Sequence, residues 1–128
     1  MGHMDGLASD GGFIGAVVSS DGSIRLDEFM QALKVSRIEL ASASGLSRTS
    51  ISKTTRLQSP ATQTRLREVA EIVNRILPWC GSVPQAFAWY RSQPIPAFGD
   101  LTAEDLVRMG RTDHLMSYLA GIALGGYA

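Results

Sequence analysis

The segment Arg37-Ile38-Glu39-Leu40-Ala41-Ser42-Ala43-Ser44-Gly45-Leu46-Ser47-Arg48-Thr49-Ser50-Ile51-Ser52-Lys53 decides the reading of the fold. Ala41 puts a small residue inside a first helix, where a second can approach closely, and Gly45 suits the left-handed turn that follows. Leu46 and Ile51 supply apolar cover for the corner. This order predicts a helix-turn-helix. Its first helix runs from about Ser36 to Ser44, and its second starts at the N-cap Ser47 and carries Thr49 to Arg56. The N-terminal part of such a second helix enters the DNA major groove. It would present Ser47, Arg48, Thr49, Ser50, Ser52 and Lys53, with Arg56 further along, residue types suited to bases and phosphates. A plain helical hairpin with a glycine corner carries Ala and Gly at similar spacing, and the residues alone leave it as the alternative.

Charge is distributed in agreement with the first reading. The formal net charge is zero, yet Lys34 to Arg75 holds eight basic residues against three acidic ones. Met1 to Leu33 has one against five, and Ile76 to Ala128 three against four. The central excess has the sign needed to meet phosphates, and the exposed positions of the second helix carry no acid. A solvated basic helix face would look the same.

Outward from this centre, helical periodicity dominates. Ile24, Leu26, Phe29, Met30 and Leu33 mark one face of a helix after Ser23, with Asp27 and Glu28 in its early turns. Ser59-Pro60 breaks the chain before the longest amphipathic helix, striped by Leu66, Val69, Ala70, Ile72, Val73, Ile76 and Leu77 and ending near Pro78 to Gly81. Ser82 caps a helix with Pro84 early in it, Gln93-Pro94-Ile95-Pro96 enforces extended backbone, and Thr102 opens a short helix with acids in its first turn. A last helix carries Leu115, Met116, Leu119, Ile122 and Ala123. No segment alternates as a strand does. The Gly-, Ser- and Asp-rich stretch before Gly22 reads as a mobile arm, although Phe13, Ile14, Val17 and Val18 give it something to dock with.

Hydrophobic residues at 45% and charged residues at 19% describe a globular chain stabilised by burial. The opening Met-Gly-His-Met looks like an expression-tag remnant, so His3 is set aside and His114, beside Asp113, reads as surface. The single cysteine, Cys80, sits among apolar neighbours as a core residue. No phosphate loop, metal-ligand spacing or nucleophile with a nearby histidine is visible, so neither an enzyme nor a cofactor is expected. Neither a signal peptide nor a membrane span is visible, which suits a cytoplasmic protein.

From Val83 to the end the chain shows Ala88-Trp89-Tyr90-Arg91, Pro94-Ile95-Pro96, Leu101-Thr102-Ala103-Glu104-Asp105-Leu106-Val107, Gly110-Arg111, Tyr118-Leu119-Ala120-Gly121-Ile122 and Gly125-Gly126-Tyr127-Ala128. Taken in order, this series resembles the toxin-binding domain of Xre/MbcA/ParS antitoxins, which pair with RES-domain toxins, and the likeness extends over nearly the whole chain after Ser23. Ala103 stands where family members often have proline.

The resemblance implies an all-α fold: an N-terminal helix-turn-helix bundle packed with a small C-terminal helical toxin-binding domain. The corresponding division is a flexible arm with tag remnant over 1–22, an Xre-like region over 23–81 and a toxin-binding domain over 82–128. It also implies a type II antitoxin whose tail, Gly125, Gly126, Tyr127 and Ala128, blocks the NAD pocket of an NAD-degrading or ADP-ribosylating toxin. Arg111 and Arg108 would each contact that partner or cap the short helix's C-terminus through its dipole, with Arg111 the better candidate for partner contact. Repression of its own operon is expected from the DNA-binding segment, and a homodimer from the need to engage paired half-sites of operator DNA. Without the resemblance, a helix-turn-helix regulator with a C-terminal dimerisation or ligand-sensing domain fits the residues and Gly125-Gly126 are a helix stop; on either reading Trp89 is expected to be buried structure.

Overall fold

A computed structural model describes residues 12–123, and within them the regular structure is helical, with no strand. A short turn of helix, α1, spans 12–17. It is followed by α2 (Leu26–Leu33), α3 (Arg37–Ser44), α4 (Arg48–Ser52), α5 (Thr54–Leu57), α6 (Pro60–Cys80), α7 (Val83–Ser92), α8 (Ala103–Arg108) and α9 (Thr112–Gly121). A 3-10 turn, Pro96–Phe98, lies between α7 and α8.

The local chemistry explains most boundaries. Ser36 and Glu39 form a reciprocal capping box at α3, as Thr102 and Asp105 do at α8. The hydroxyls of Ser47, Ser59 and Ser82 each accept from a backbone N–H one turn on. Gly81 ends α6 in the left-handed region.

The 21-residue α6, about 31 Å long, is the axis of the fold. Its Leu66, Val69, Ala70, Ile72, Val73 and Ile76 are all fully buried. Ile72 widens the stripe beside Ile76, so the buried arc of α6 is broad and more than one neighbour must pack on it. Ala86, Phe87 and Tyr90 of α7 cover one side, and Leu115 and Leu119 of α9 join the same cluster, as do Phe29 and Leu33 of α2. One continuous core therefore runs from Phe13 to Leu119.

Three expectations change. The stretch read as an arm is packed from residue 12 on: Val17 is fully buried and Phe13 lies 6.0 Å from the Phe29 ring. An antiparallel bridge from Val18 to Ile24 closes the loop between them, and buried Gln63 fixes it by accepting from Ile24 N at 2.7 Å and donating to Leu57 O. Glycine and serine there build a hydrogen-bonded turn, with Asp21 accepting from Ser19, Ser23 and the Ser23 amide. Second, the helix begun at Ser47 stops at Ser52. Lys53 is extended (ψ 125°) and Thr54–Leu57 forms a separate turn. Third, Trp89 is only half-buried, whereas its neighbour Tyr90 is fully enclosed.

Candidate functional site

The basic segment is presented by α3, α4 and the turn between them. Gly45 adopts φ 68°, and Leu46 N donates back to Ala41 O at 2.9 Å, so the chain reverses within three residues. Ser47 then caps α4, accepting from Ser50 N at 3.1 Å and exchanging a hydroxyl contact with Ser50 Oγ at 2.9 Å. Ile51 inserts into the core with 1% exposure, and its carbonyl accepts from Arg37 Nη1. Around that anchor Arg48, Thr49, Ser52 and Lys53 are exposed and Ser50 is half-buried. Arg56 is exposed as well, but the break at Lys53 places it on α5 rather than on the same helix.

The electrostatics of this surface follow from what is missing from its sequence. Between Glu39 and Glu68 there is no acid, while Arg48, Lys53, Arg56, Arg65 and Arg67 fall in that interval. Among the described residues, the ion pairs join Arg65 to Glu68 and Arg91 and Arg108 to Glu104, and none engages Arg48, Lys53 or Arg56. These three cations are available to anionic groups in solution. Glu39, at the far end of α3, is tied down by accepting from the Ser36 amide, which holds its carboxyl below the usual range.

A set of residues that local pattern did not reveal supports the turn. The last carbonyls of α3 lack the usual helical partners, Ser42 O accepting only from Gly45 N at 3.1 Å within the turn, and three side chains from three other helices reach them. Arg108 of α8 donates to Ser42 O at 3.1 Å, Tyr90 of α7 to Ala43 O at 2.6 Å, and Arg65 of α6 to Ser44 O at 3.0 Å. Arg108 stands in the last turn of α8, where its charge suits that helix's dipole, and its hydrogen bonds go to α3 and Glu104. The fit is tight: a Cβ on Gly45 would lie 2.9 Å from Arg65 Nη1 and 3.1 Å from Arg108 Cγ. Behind Arg108 stands Glu104, 8% exposed, which accepts from Arg91 Nε at 2.6 Å and from Arg108 at 3.4 Å. Burial, with Glu104 nearby, pushes the Tyr90 hydroxyl well above its ordinary pKa, so it stays a donor.

At the other end, pieces of the C-terminal series converge. Trp79 and Trp89, the two tryptophans of the chain, line a groove of about 250 Å³ with Pro94, Pro96, Tyr118 and Ile122. Trp79 is 51% exposed at its rim. Arg111 lies over the Phe98 ring at 5.6 Å, and Phe98 meets Tyr118 edge-on at 5.5 Å. Arg111 is therefore half-buried on an aromatic face at the start of α9. Gly125, Gly126, Tyr127 and Ala128 lie outside the described residues. Cys80 is half-buried, and burial pushes its thiol up, away from thiolate chemistry. Among the described residues no helix is long and apolar enough to cross a membrane.

No family model, curated protein or solved structure matches the chain.

Proposed function

We propose that this chain is an antitoxin and autorepressor: a helix-turn-helix protein that holds operator DNA through α3 and α4 and binds a RES-domain toxin through its C-terminal half. The observation that carries the reading is the pose of α4. Ile51 is locked into the core, and Arg48, Thr49, Ser52 and Lys53 are exposed on the acid-free surface around it. Cations on such a surface neutralise phosphates, while hydroxyl side chains reach base edges. Ser47 serves this surface by starting the helix, its hydroxyl being engaged as the cap. Arg56, displaced onto α5, is a backbone contact at the flank of the site.

The toxin-binding part is supported by the resemblance of the C-terminal series to Xre/MbcA/ParS antitoxins. In that reading Arg111 and the tail Gly125, Gly126, Tyr127 and Ala128 meet the partner, the tail entering its NAD pocket. Glycines remove bulk, and tyrosine offers an aromatic face and a hydroxyl. The protein acts as a cytoplasmic homodimer on paired half-sites.

A regulator whose C-terminal half senses a small ligand is the second reading. A cleft of about 390 Å³ lined by Ile14, Val18, Arg67 and Arg75, to which the C-terminal half contributes Met116, offers room for such a ligand. Co-purification with the product of the adjacent gene decides between the two. A stable complex that suppresses the partner's NAD consumption, and releases it when residues 125–128 are deleted, is the expected result. Absence of both a partner and inhibition would leave the regulator.

A further inference from the structure

The DNA-facing turn is held from outside its own helices. Of the last three carbonyls of α3, each is met by a side chain from a different helix, and the most distant in sequence is Arg108, 66 residues on from Ser42. Helix C-termini carry partial negative charge, so two guanidinium groups there act both as donors and as opposing charge. Arg108 is further oriented by buried Glu104, which Arg91 holds from the other side. Its Cγ and Cα both pack against the space that a side chain at position 45 would fill.

We infer that Arg108 is a positioning residue for DNA recognition: the C-terminal half, through Arg108 with Glu104 behind it, sets the angle at which α4 leaves Gly45. The inference rests on the DNA-binding reading above. Base readout requires α4 to keep one pose relative to the groove, whereas charge-driven binding to any duplex does not. Loosening the α3 terminus therefore lowers sequence-specific affinity more than non-specific affinity. In this role Arg108 acts through Nη1, which donates to Ser42 O and to Glu104, and not through a contact with DNA.

The test compares Arg108→Ala and Arg108→Lys with the unaltered full chain. The probes are the duplex immediately upstream of the chain's own coding sequence and a scrambled duplex of equal length, across a range of salt. Loss of one charge-assisted hydrogen bond at the corner is expected to weaken binding to the upstream duplex roughly tenfold in Arg108→Ala. The slope against salt and the affinity for the scrambled duplex should be unchanged. Arg108→Lys, which keeps a cationic donor, should recover most of the loss. Amide exchange at Gly45 and Leu46, read without DNA, should quicken in Arg108→Ala and return in Arg108→Lys. A salt slope shallower by about 0.9 would mean that Arg108 touches a phosphate itself and would overturn the inference. So would unchanged affinity for the upstream duplex in Arg108→Ala, with the DNA-binding reading left standing. If the unaltered chain prefers neither duplex, that reading fails and the positioning role for DNA falls with it, while the exchange data report separately whether Arg108 fixes the turn.

Discussion

Replacing Tyr90 with phenylalanine isolates one atom of the network that holds α3. The ring is fully buried and stacks on Phe87 with centroids 5.7 Å apart and planes 16° from parallel. Phenylalanine keeps that stacking and the packing volume, so the loss is the hydroxyl and its 2.6 Å bond to Ala43 O. An intramolecular hydrogen bond contributes about 1 kcal/mol net, and leaving the buried carbonyl unpaired adds its desolvation, which together give a loss of about 2 kcal/mol. For a chain of this length that corresponds to a fall of about 8 °C in Tm. Chemical denaturation of both proteins, read by circular dichroism, measures it: the midpoint should fall with the denaturant slope unchanged. Raising the pH supplies a second arm. The Tyr90 pKa is raised in the folded state, so its contribution is complete below the unfolded value of about 10 and is lost as pH climbs beyond it. The phenylalanine variant has no such group, and the stability gap should narrow above about pH 10. A loss below about 0.5 kcal/mol, short of the usual cost of an orphaned buried carbonyl, together with a gap that does not change with pH, would refute the claim that this hydroxyl secures α3.

Other perturbations probe other links. Ser44 Oγ is buried without a hydrogen-bond partner among the described residues, so Ser44→Ala should raise stability by about 1 kcal/mol, and a fall in the midpoint would reveal a partner for the hydroxyl. Arg48→Ala and Lys53→Ala should each weaken DNA binding and flatten the dependence of log K on log salt by about 0.9; titration at several salt concentrations shows this, and unchanged affinity would remove α4 from the interface. Three serine-derived donors hold the Asp21 carboxyl down at about 2, so the 19–23 turn keeps this support above the ordinary carboxylate range and loses it as pH falls from about 4 through 2. Carboxyl NMR should place the Asp21 midpoint near the lower figure, and a midpoint near 4 would show the turn to be unformed. Deleting residues 125–128 should leave the melting transition and DNA affinity close to those of the full chain while releasing the partner's NAD consumption; persistent inhibition would shift the interface to the surface around Arg111.

How much of this was written in the sequence depends on how far each cause reaches along the chain. The all-helical class, the caps at Ser47, Ser82 and Thr102, the stop at Gly45 and the apolar stripe of α6 were legible, because each depends on residues within a turn or two. The exposure of Arg48, Thr49 and Ser52 was legible for the same reason: Ile51 is the one apolar residue of α4, and the polar ones stay in solvent. The extent of that helix was misjudged: it stops at Ser52, Lys53 is extended, and Arg56 falls on α5. The 12–22 stretch was misread because composition reports the cost of ordering glycine and serine but not the apolar site that accepts Phe13 and Val17. What only the tertiary structure decided is which side chains meet the end of α3. Arg108, Tyr90 and Arg65 come from three helices, and a guanidinium in sequence looks the same whether it faces water, a carboxylate or a carbonyl 66 residues away. Periodicity tells which face of a helix is buried; the partner across that face is set by how all the helices pack around α6.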